Sequence, residues 1–373
     1  MKPLRAPILA PLFGVALLFG PVSGPVQAQD TAPNEGTPPD SAPAESPASQ
    51  PPASPAPASQ TPASQGGGDR AGEDGPTVLR LETGSLAAVY YPVGVALCRL
   101  PNQHRPETSL RCAAVPSEGS VANIEALRAG EADLALAQTD TAADAVAGEG
   151  AFAEAGPMDG LRSVMSLYPE PVTIVARADS GIASLTDLQG KRISLGQAGS
   201  GQRALADALM GALGWDAASF AETPDLPTED LAAALCGGQI DAYLVTIGHP
   251  ALVVRETTRG CDARLVPVTG PAVDGLVSGT PALVTAEIPG GVYRGNPDPT
   301  PSFGPGATLF ARAETPEAEV RAIVAGIFGD FDMLSGLHPA LAGLSREASV
   351  TKGLAAPLHP GAESYYREAG LMP

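Results

Sequence analysis

Polar side chains and glycines cluster where predicted strands end and predicted helices begin. Ser120 and Ser200 each stand at the expected start of a helix, where free backbone N–H groups attract carboxylates. Gln138, Asp140 and Thr246 lie at or just after the ends of apolar strands. Side chains at such strand ends predict the binding of a small polar molecule.

The full set of expected ligand contacts follows from these positions. It comprises Thr83, Gly84, Tyr90, Tyr91, Glu118, Gly119, Ser120, Gln138, Asp140, Tyr168, Ser200, Gly201, Thr246 and His249. Each also has an ordinary structural role: the two serines cap helices, the tyrosines fill a core and His249 donates a hydrogen bond. Only one of the two adjacent tyrosines is expected to face a ligand. Arg177 and Arg203 are further candidates for holding a carboxylate.

Enzymatic alternatives find little support in the motifs. Residues 199–204 match Gly-x-Gly-x-x-Ala after a strand, which is typical of dinucleotide sites, but no acidic residue clearly ends the next strand. The sequence has no Gly-x-Ser-x-Gly elbow, His-Glu-x-x-His pair or P-loop. A Ser/His/Asp triad is recognised by geometry and stays open. We predict a binding protein, not an enzyme, without a cofactor.

Four cysteines, Cys98, Cys112, Cys236 and Cys261, allow three disulfide pairings. Pairing neighbours, Cys98 with Cys112 and Cys236 with Cys261, keeps each bridge inside one predicted lobe. A metal site is the rival interpretation. It is disfavoured because there is no Cys-x-x-Cys and the four histidines are scattered.

The elements that must position these residues occur twice. Residues 126–138 and 234–246 both read as a helix end, a glycine, an aspartate and an apolar strand. Before each copy lies a strand followed by a glycine-containing loop and a helix, at residues 78–100 and 192–213. Gly130 and Gly238 suit left-handed helix ends. The repeat predicts two α/β lobes with mostly parallel sheets, whose ligand-binding edges face one cleft. Two lobes without a shared cleft are the alternative.

Two extended segments are expected to connect the lobes. Residues 166–176 predict the crossover from lobe 1 to lobe 2, and residues 264–268 predict the return. A strand at 307–310 and one amphipathic helix at 317–334 should follow. The expected organisation is lobe 1 at 77–170, lobe 2 at 171–266, and a return to lobe 1 at 267–373.

The N-terminal residues predict export. Lys2 and Arg5 precede an uncharged apolar stretch, and Ala28 ends a small-residue cleavage site, so residues 1–28 fit a cleavable signal peptide. A retained N-terminal anchor is the alternative. Residues 29–76, rich in Pro, Ala and Ser, predict a disordered linker. The expected location is therefore the periplasm. The formal net charge of -19 argues against a nucleic-acid partner.

Several short motifs in a fixed order resemble one transporter family. The six motifs occupy residues 90–94, 119–123, 166–171, 199–201, 248–250 and 358–363. They resemble the TAXI solute receptors, the binding subunits of one branch of the TRAP transporters. The resemblance implies a type II periplasmic-binding-protein fold and a monomer. It also implies delivery of an amino acid or organic acid, such as a glutamate-like compound or a dicarboxylate, to TRAP integral membrane subunits.

Two departures from the family pattern concern the ligand. The first loop has Leu86-Ala87-Ala88 where the family has glycines, and Glu118 stands beside a helix start where the family has none. An acid there disfavours an anionic ligand or holds an amino group. Alternative functions are a ligand-sensing adaptor for a membrane kinase, an exported enzyme on the same scaffold, or a scaffold whose site has closed.

Overall fold

The computed structural model describes residues 76–373. The predicted signal peptide (1–28) and linker (29–76) lie outside this range, apart from Pro76. Within residues 76–373, no helix has the length and apolar character needed to cross a bilayer.

Residues 76–373 form eleven strands and twelve α-helices. The strands are β1 Thr77–Glu82, β2 Leu110–Val115, β3 Leu134–Gln138, β4 Leu161–Pro169, β5 Val172–Arg177, β6 Ile193–Ser194, β7 Ala242–Thr246, β8 Ala263–Val266, β9 Val284–Ile288, β10 Thr300–Gly304 and β11 Gly306–Arg312. The helices are α1 Tyr90–Gln103, α2 Arg105–Thr108, α3 Ser120–Ala129, α4 Thr139–Ala147, α5 Gly201–Ala212, α6 Leu231–Cys236, α7 Leu252–Gly260, α8 Pro271–Gly279, α9 Glu317–Gly329, α10 Phe331–Leu337, α11 Arg346–Thr351 and α12 Pro360–Glu368.

Lobe 1 is built on a five-stranded sheet in the order β2-β1-β3-β11-β4. The first three strands are parallel, and β11 runs antiparallel between β3 and β4. Strand β3 is buried on both faces: Leu134 and Leu136 pack with the core of α1 and α9, while Ala135 and Ala137 pack with that of α3 and α4. This explains its nearly continuous apolar sequence.

Lobe 2 repeats the plan with a four-stranded sheet in the order β6-β7-β5-β8. Alternate residues of β7 again enter different cores. Leu244 packs with the apolar face of α5, and Tyr243 packs in the core that includes α6 and α7. The buried face of α5 contains Leu205, Ala206, Leu209 and Met210, whereas Ala208 and Ala212, which the leucine spacing also assigns to this face, are exposed.

Two backbone crossovers join the lobes. The chain leaves lobe 1 from β4 into β5 through Glu170 and Pro171, and it returns from β10 into β11 through Pro305. The crossovers lie side by side, because the Glu170 N–H donates to the carbonyl oxygen of Pro305 at 2.9 Å. The predicted two-lobed α/β fold of the type II class, with two crossover strands, is confirmed.

The position of the return crossover differs from the prediction. Residues 264–268 do not cross back, because β8 pairs antiparallel with β5 inside the lobe 2 sheet. Val268, Val273 and Phe303 then pack in the lobe 2 core, so the chain remains with lobe 2 until about residue 304 rather than 266. An extended apolar segment predicts a strand, but its sequence does not reveal which sheet it joins.

Most predictions made from local sequence patterns agree with the structure. Gly130 and Gly238 follow α3 and α6 with φ of 73° each, as expected for left-handed helix ends. The helix predicted at 317–334 is interrupted at Asp330, which separates α9 from α10. The neighbouring-cysteine pairing is confirmed: Cys98–Cys112 ties α1 to β2, and Cys236–Cys261 ties the ends of α6 and α7.

Candidate functional site

A cavity of about 380 Å³ lies in the cleft between the lobes. Three regions line it: loops and helix starts of lobe 1, the equivalent loops of lobe 2, and the crossover. Its polar and glycine residues are Gly84, Ser85, Tyr90, Ser117, Glu118, Gly119, Ser120, Gln138, Glu170, Gln197, Ser200, Gly201, Gln202, Thr228, Glu229 and Thr246. The volume fits a small solute.

The lobe 1 face of the cleft is held by a buried amide. Asn123, fully buried on α3, donates to the carbonyl oxygens of Thr83 at 2.5 Å and Leu136 at 2.7 Å. Its own oxygen accepts from the Ser117 hydroxyl at 2.5 Å. The start of α3 is tied to the end of β3, because Ser120 Oγ accepts from the Gln138 N–H at 3.1 Å. This face is therefore fixed before any ligand arrives.

The lobe 2 face is a glycine loop leading into α5. Gly196 and Gly199 have φ of 103° and 80°, a backbone region that favours glycine. Ser200 caps α5 as predicted: its oxygen accepts from the Arg203 N–H at 3.2 Å. The same hydroxyl donates to the Gln197 carbonyl at 2.6 Å. The loop bonds mostly to itself.

The two faces meet at Gly201. A Cβ atom placed on this residue would lie 2.3 Å from Gln138 Oε1 and 2.9 Å from Ser120 Cβ, both across the cleft. At the cleft mouth, the Ser85 hydroxyl of lobe 1 donates to Glu229 Oε2 of lobe 2 at 2.9 Å. The lobes are thus in contact around the cavity, and glycine at 201 permits this approach.

A buried carboxyl group lies at the base of the cleft. Glu170, only 2% exposed, accepts a hydrogen bond from the Tyr90 hydroxyl at 2.7 Å. Burial raises the pKa of Glu170 to about 8, and the nearby Asp140 carboxyl pushes it the same way. Burial likewise raises the pKa of Asp140 to about 7 and that of Tyr90 well above its usual value.

The titratable side chains that line the cavity are all acids. Glu118, Glu170 and Glu229 line it, and no lysine, arginine or histidine is found among the described lining residues. The cationic candidates are engaged elsewhere. Arg203 binds Asp207 at 3.0 Å, and Arg177 binds Asp179 at 2.9 Å.

Nine of the predicted contact residues line the cavity: Gly84, Tyr90, Glu118, Gly119, Ser120, Gln138, Ser200, Gly201 and Thr246. Their grouping follows from the position of each at a strand end or helix start. Whether they contact a ligand stays a prediction.

Five predicted residues lie elsewhere. The buried Thr83 hydroxyl donates to the Val115 carbonyl at 2.6 Å. Tyr91 lies beside Tyr90 at the start of α1, outside the lining, and Asp140 is on α4. His249 bonds Thr173 at 2.9 Å and Tyr293 at 2.6 Å, and burial lowers its pKa to about 4.

The fifth, Tyr168, lines a second cavity of about 620 Å³ beside the crossovers. Mostly apolar and small side chains of β4, α11 and residues 281–284 surround this space. The Tyr168 hydroxyl is buried and has no hydrogen-bond partner among the described residues.

Sequence reasoning missed the two acids that complete the cleft. Glu170 stands between two prolines in the predicted crossover, and a charged residue at a hinge between apolar strands was a usable signal. Glu229 lies in the short 3₁₀ turn Thr228–Asp230 before α6. Its sequence context gives no hint that it reaches the opposite lobe.

The dinucleotide alternative conflicts with the contacts of α5. A pyrophosphate must approach the backbone at the start of such a helix, but Ser120 and Gln138 already pack against Gly201 there. Within residues 76–373, no cluster of three or more His, Cys, Asp or Glu side chains could hold a metal ion.

Comparisons with known proteins give one family match and several partial structural matches. The sequence model of the NMT1-like family matches residues 81–370. The periplasmic aliphatic sulphonate binding protein SsuA from Escherichia coli is 17% identical, with a TM-score of 0.44 over 78% of each chain. PhnD1 from Prochlorococcus marinus, solved with methylphosphonate, is 12% identical, with a TM-score of 0.48 over 80% of this chain and 100% of that one.

Proposed function

The chain belongs to the NMT1-like family, and we propose that it is an exported receptor that binds a small polar solute between its lobes for delivery to membrane transport subunits. The observation that carries this proposal is the cleft. Polar groups from both lobes and from the crossover converge on one cavity of about 380 Å³. Two adjacent crossovers form a hinge about which such a cleft opens and closes.

The arrangement supports binding better than catalysis. No histidine, lysine or cysteine lies among the described lining residues to activate a nucleophile or act as one, and His249 bonds outward to Thr173 and Tyr293. We therefore propose a binding function without catalysis or a cofactor.

The partners that we propose are the integral membrane subunits of a TRAP transporter. The support is the order of the motifs that resemble those of TAXI receptors. Residues 119–120 and 199–201, which belong to two of these motifs, meet across the cleft. We further propose that residues 1–28 are removed on export and that residues 29–76 tether a monomeric receptor in the periplasm. The mass of protein recovered from the periplasm tests the cleavage after Ala28.

Binding is tested by a thermal-shift screen of the purified protein against amino acids, diamines, organic acids and sulfonates. A ligand that binds only the folded state increases the free energy of unfolding, by about 2.7 kcal/mol when the ligand concentration is one hundred times Kd. The melting temperature rises as a result. A screen in which no solute raises the melting temperature would contradict the proposal. A solute recovered chemically unchanged separates a receptor from an enzyme.

The transporter assignment needs a second measurement. Proteoliposomes holding the candidate TRAP subunits should accumulate the identified solute only when this receptor and an ion gradient are both present. Uptake that needs ATP and ignores ionophores would contradict the TRAP assignment while leaving the receptor function intact.

A further inference from the structure

The acids in the cleft indicate the charge of the solute. Glu118 comes from lobe 1, Glu229 from lobe 2 and Glu170 from the crossover at the base. We propose, resting on the receptor function above, that the solute carries a protonated amino or guanidino nitrogen that Glu170 holds at the base of the cleft. A carboxylate is the partner that best matches such a nitrogen.

Buried acceptors without donors support a donating ligand. Thr246 Oγ1 and Gln138 Oε1 both belong to lining residues, and neither has a hydrogen-bond partner among the described residues. Thr246 is 7% exposed and Gln138 is 3% exposed, so solvent gives these atoms little compensation. An N–H group of the solute would satisfy Gln138 Oε1, which only accepts and which a carboxylate would leave without a donor, whereas the Thr246 hydroxyl can pair with either group.

Closure itself favours a cation. The acids on the two faces reach across the cleft in opposite directions. Glu118 Oε2 of lobe 1 lies 3.8 Å from the site of a Cβ atom on Gly199 of lobe 2, and Glu229 bonds Ser85 of lobe 1. Closure therefore leaves one acid of each lobe lining the same cavity, with no cationic side chain among the described lining residues, and a cationic solute would be attracted to both. A dicarboxylate would be repelled by both acids.

A carboxylate elsewhere on the solute is compatible with the site. The start of α3 lines the cavity, and free backbone N–H groups at a helix start attract carboxylates. Amino acids therefore remain within the proposed class, provided that their nitrogen reaches Glu170. Solutes with anionic groups alone fall outside it.

Binding should release a proton. The groups that face Glu170 are Tyr90 on α1, Asp140 on α4 and Tyr168 on β4, and none is cationic. With the pKa of Glu170 at about 8, the carboxyl is mostly protonated at neutral pH and must ionise to pair with the nitrogen. We expect Kd to rise about tenfold for each pH unit below that pKa.

Three probes with the same four-carbon chain test the charge directly. They are putrescine with two amino ends, 4-aminobutyrate with one amino and one carboxylate end, and succinate with two carboxylates. We expect a nitrogen-bearing probe to raise the melting temperature and succinate to leave it unchanged. If succinate stabilises the protein as much as either amine, the receptor function stands and the proposed solute class is wrong. If none of the three and no solute of the wider screen binds, the receptor function itself fails.

Variants locate the nitrogen. For the tighter amine probe, Glu170→Gln should raise Kd about tenfold or more, because the charged partner of the nitrogen is lost. It should also abolish the pH dependence of Kd. Glu118→Gln, on an exposed side chain that tolerates the change, should raise Kd about threefold at low salt. Glu131→Gln, an exposed acid of lobe 1 outside the cleft, is the matched control.

Two outcomes decide the assignment. Loss of affinity in Glu170→Gln and Glu118→Gln, with Kd unchanged in the control, supports a nitrogen held by cleft acids. Unchanged Kd in both cleft variants overturns the proposal. If Glu170→Gln does not fold, Glu118→Gln and Glu229→Gln decide it, because both side chains are exposed.

Discussion

The two faces of the cleft are built from the same strand–loop–helix unit but are held in different ways. On the lobe 1 face, Asn123 bonds the loops after β1 and β2 to the end of β3. On the lobe 2 face, Ser200 bonds only to its own loop and helix. The two lobes therefore share the same strand–loop–helix unit, but the hydrogen bonds that hold the cleft face rigid occur in lobe 1 and are not repeated in lobe 2. One face is preformed, and the other has the glycines that let it adjust.

The largest expected effect is the loss of the lobe 1 network. Asn123→Ala should destabilise the protein by about 3 kcal/mol or more, because the carbonyls of Thr83 and Leu136 would lose their buried donor. The free energy of unfolding in urea measures this. A loss below about 1 kcal/mol would show that the lobe 1 face is not held by this amide.

The hinge carboxyl should give the next largest effect, as a pH dependence of stability. The pKa of Glu170 is raised from 4.5 to about 8 in the folded state, so the folded state binds a proton that the unfolded state has released over that range. Glu170 should therefore contribute a loss of stability to the ligand-free protein as pH rises from about 5 to 8. Between pH 6 and pH 8 this contribution should be about 2 kcal/mol, while His249, whose pKa burial lowers to about 4, acts in the opposite direction.

The measurement is the melting temperature at both pH values, with and without Glu170→Gln. The substitution should remove the Glu170 contribution, leaving that of Asp140, whose pKa is raised to about 7 and acts in the same direction, and that of His249, which acts in the opposite direction. If the difference in stability between wild type and variant does not change between pH 6 and pH 8, the pKa of Glu170 is not raised in the folded state.

The contact between the faces depends on Gly201. Gly201→Ala should weaken solute binding about tenfold, because the new methyl group would overlap Gln138 and Ser120 and hold the lobes apart. The free energy of unfolding of Gly201→Ala without ligand should change little, because the lobes can move apart to make room for the methyl group. Gly211→Ala on the same helix is the control, since a Cβ there meets nothing within 4 Å. Equal affinity in the two variants would mean that the lobes need not meet at Gly201.

These tests also separate what the sequence predicts from what it does not. Helix starts, glycine ends and buried strands follow from local patterns, so Ser120, Ser200, Gly130 and Thr246 could be placed in advance. Contacts between lobes depend on packing far apart in sequence. The role of Gly201 against Gln138 and the reach of Glu229 to Ser85 therefore had no local signal.

The return crossover illustrates the same limit. Residues 264–268 have the composition of a strand, and they form one, but pairing of β8 with β5 places it in lobe 2. Which sheet a strand joins depends on long-range pairing. Periodicity reports only the faces that are buried.

The smallest expected effect compares the two helix-start serines directly. Ser200→Ala removes a cap from a half-buried helix start and should cost about 1 kcal/mol. The Ser120 side chain makes no cap hydrogen bond, but Ser120→Ala removes the acceptor of the buried Gln138 N–H and should cost about 2 kcal/mol. Unfolding in urea of the two variants, side by side, gives the difference. A larger loss in Ser200→Ala would reverse the assignment of rigidity, because the lobe 2 loop would then be the face that depends more on its serine.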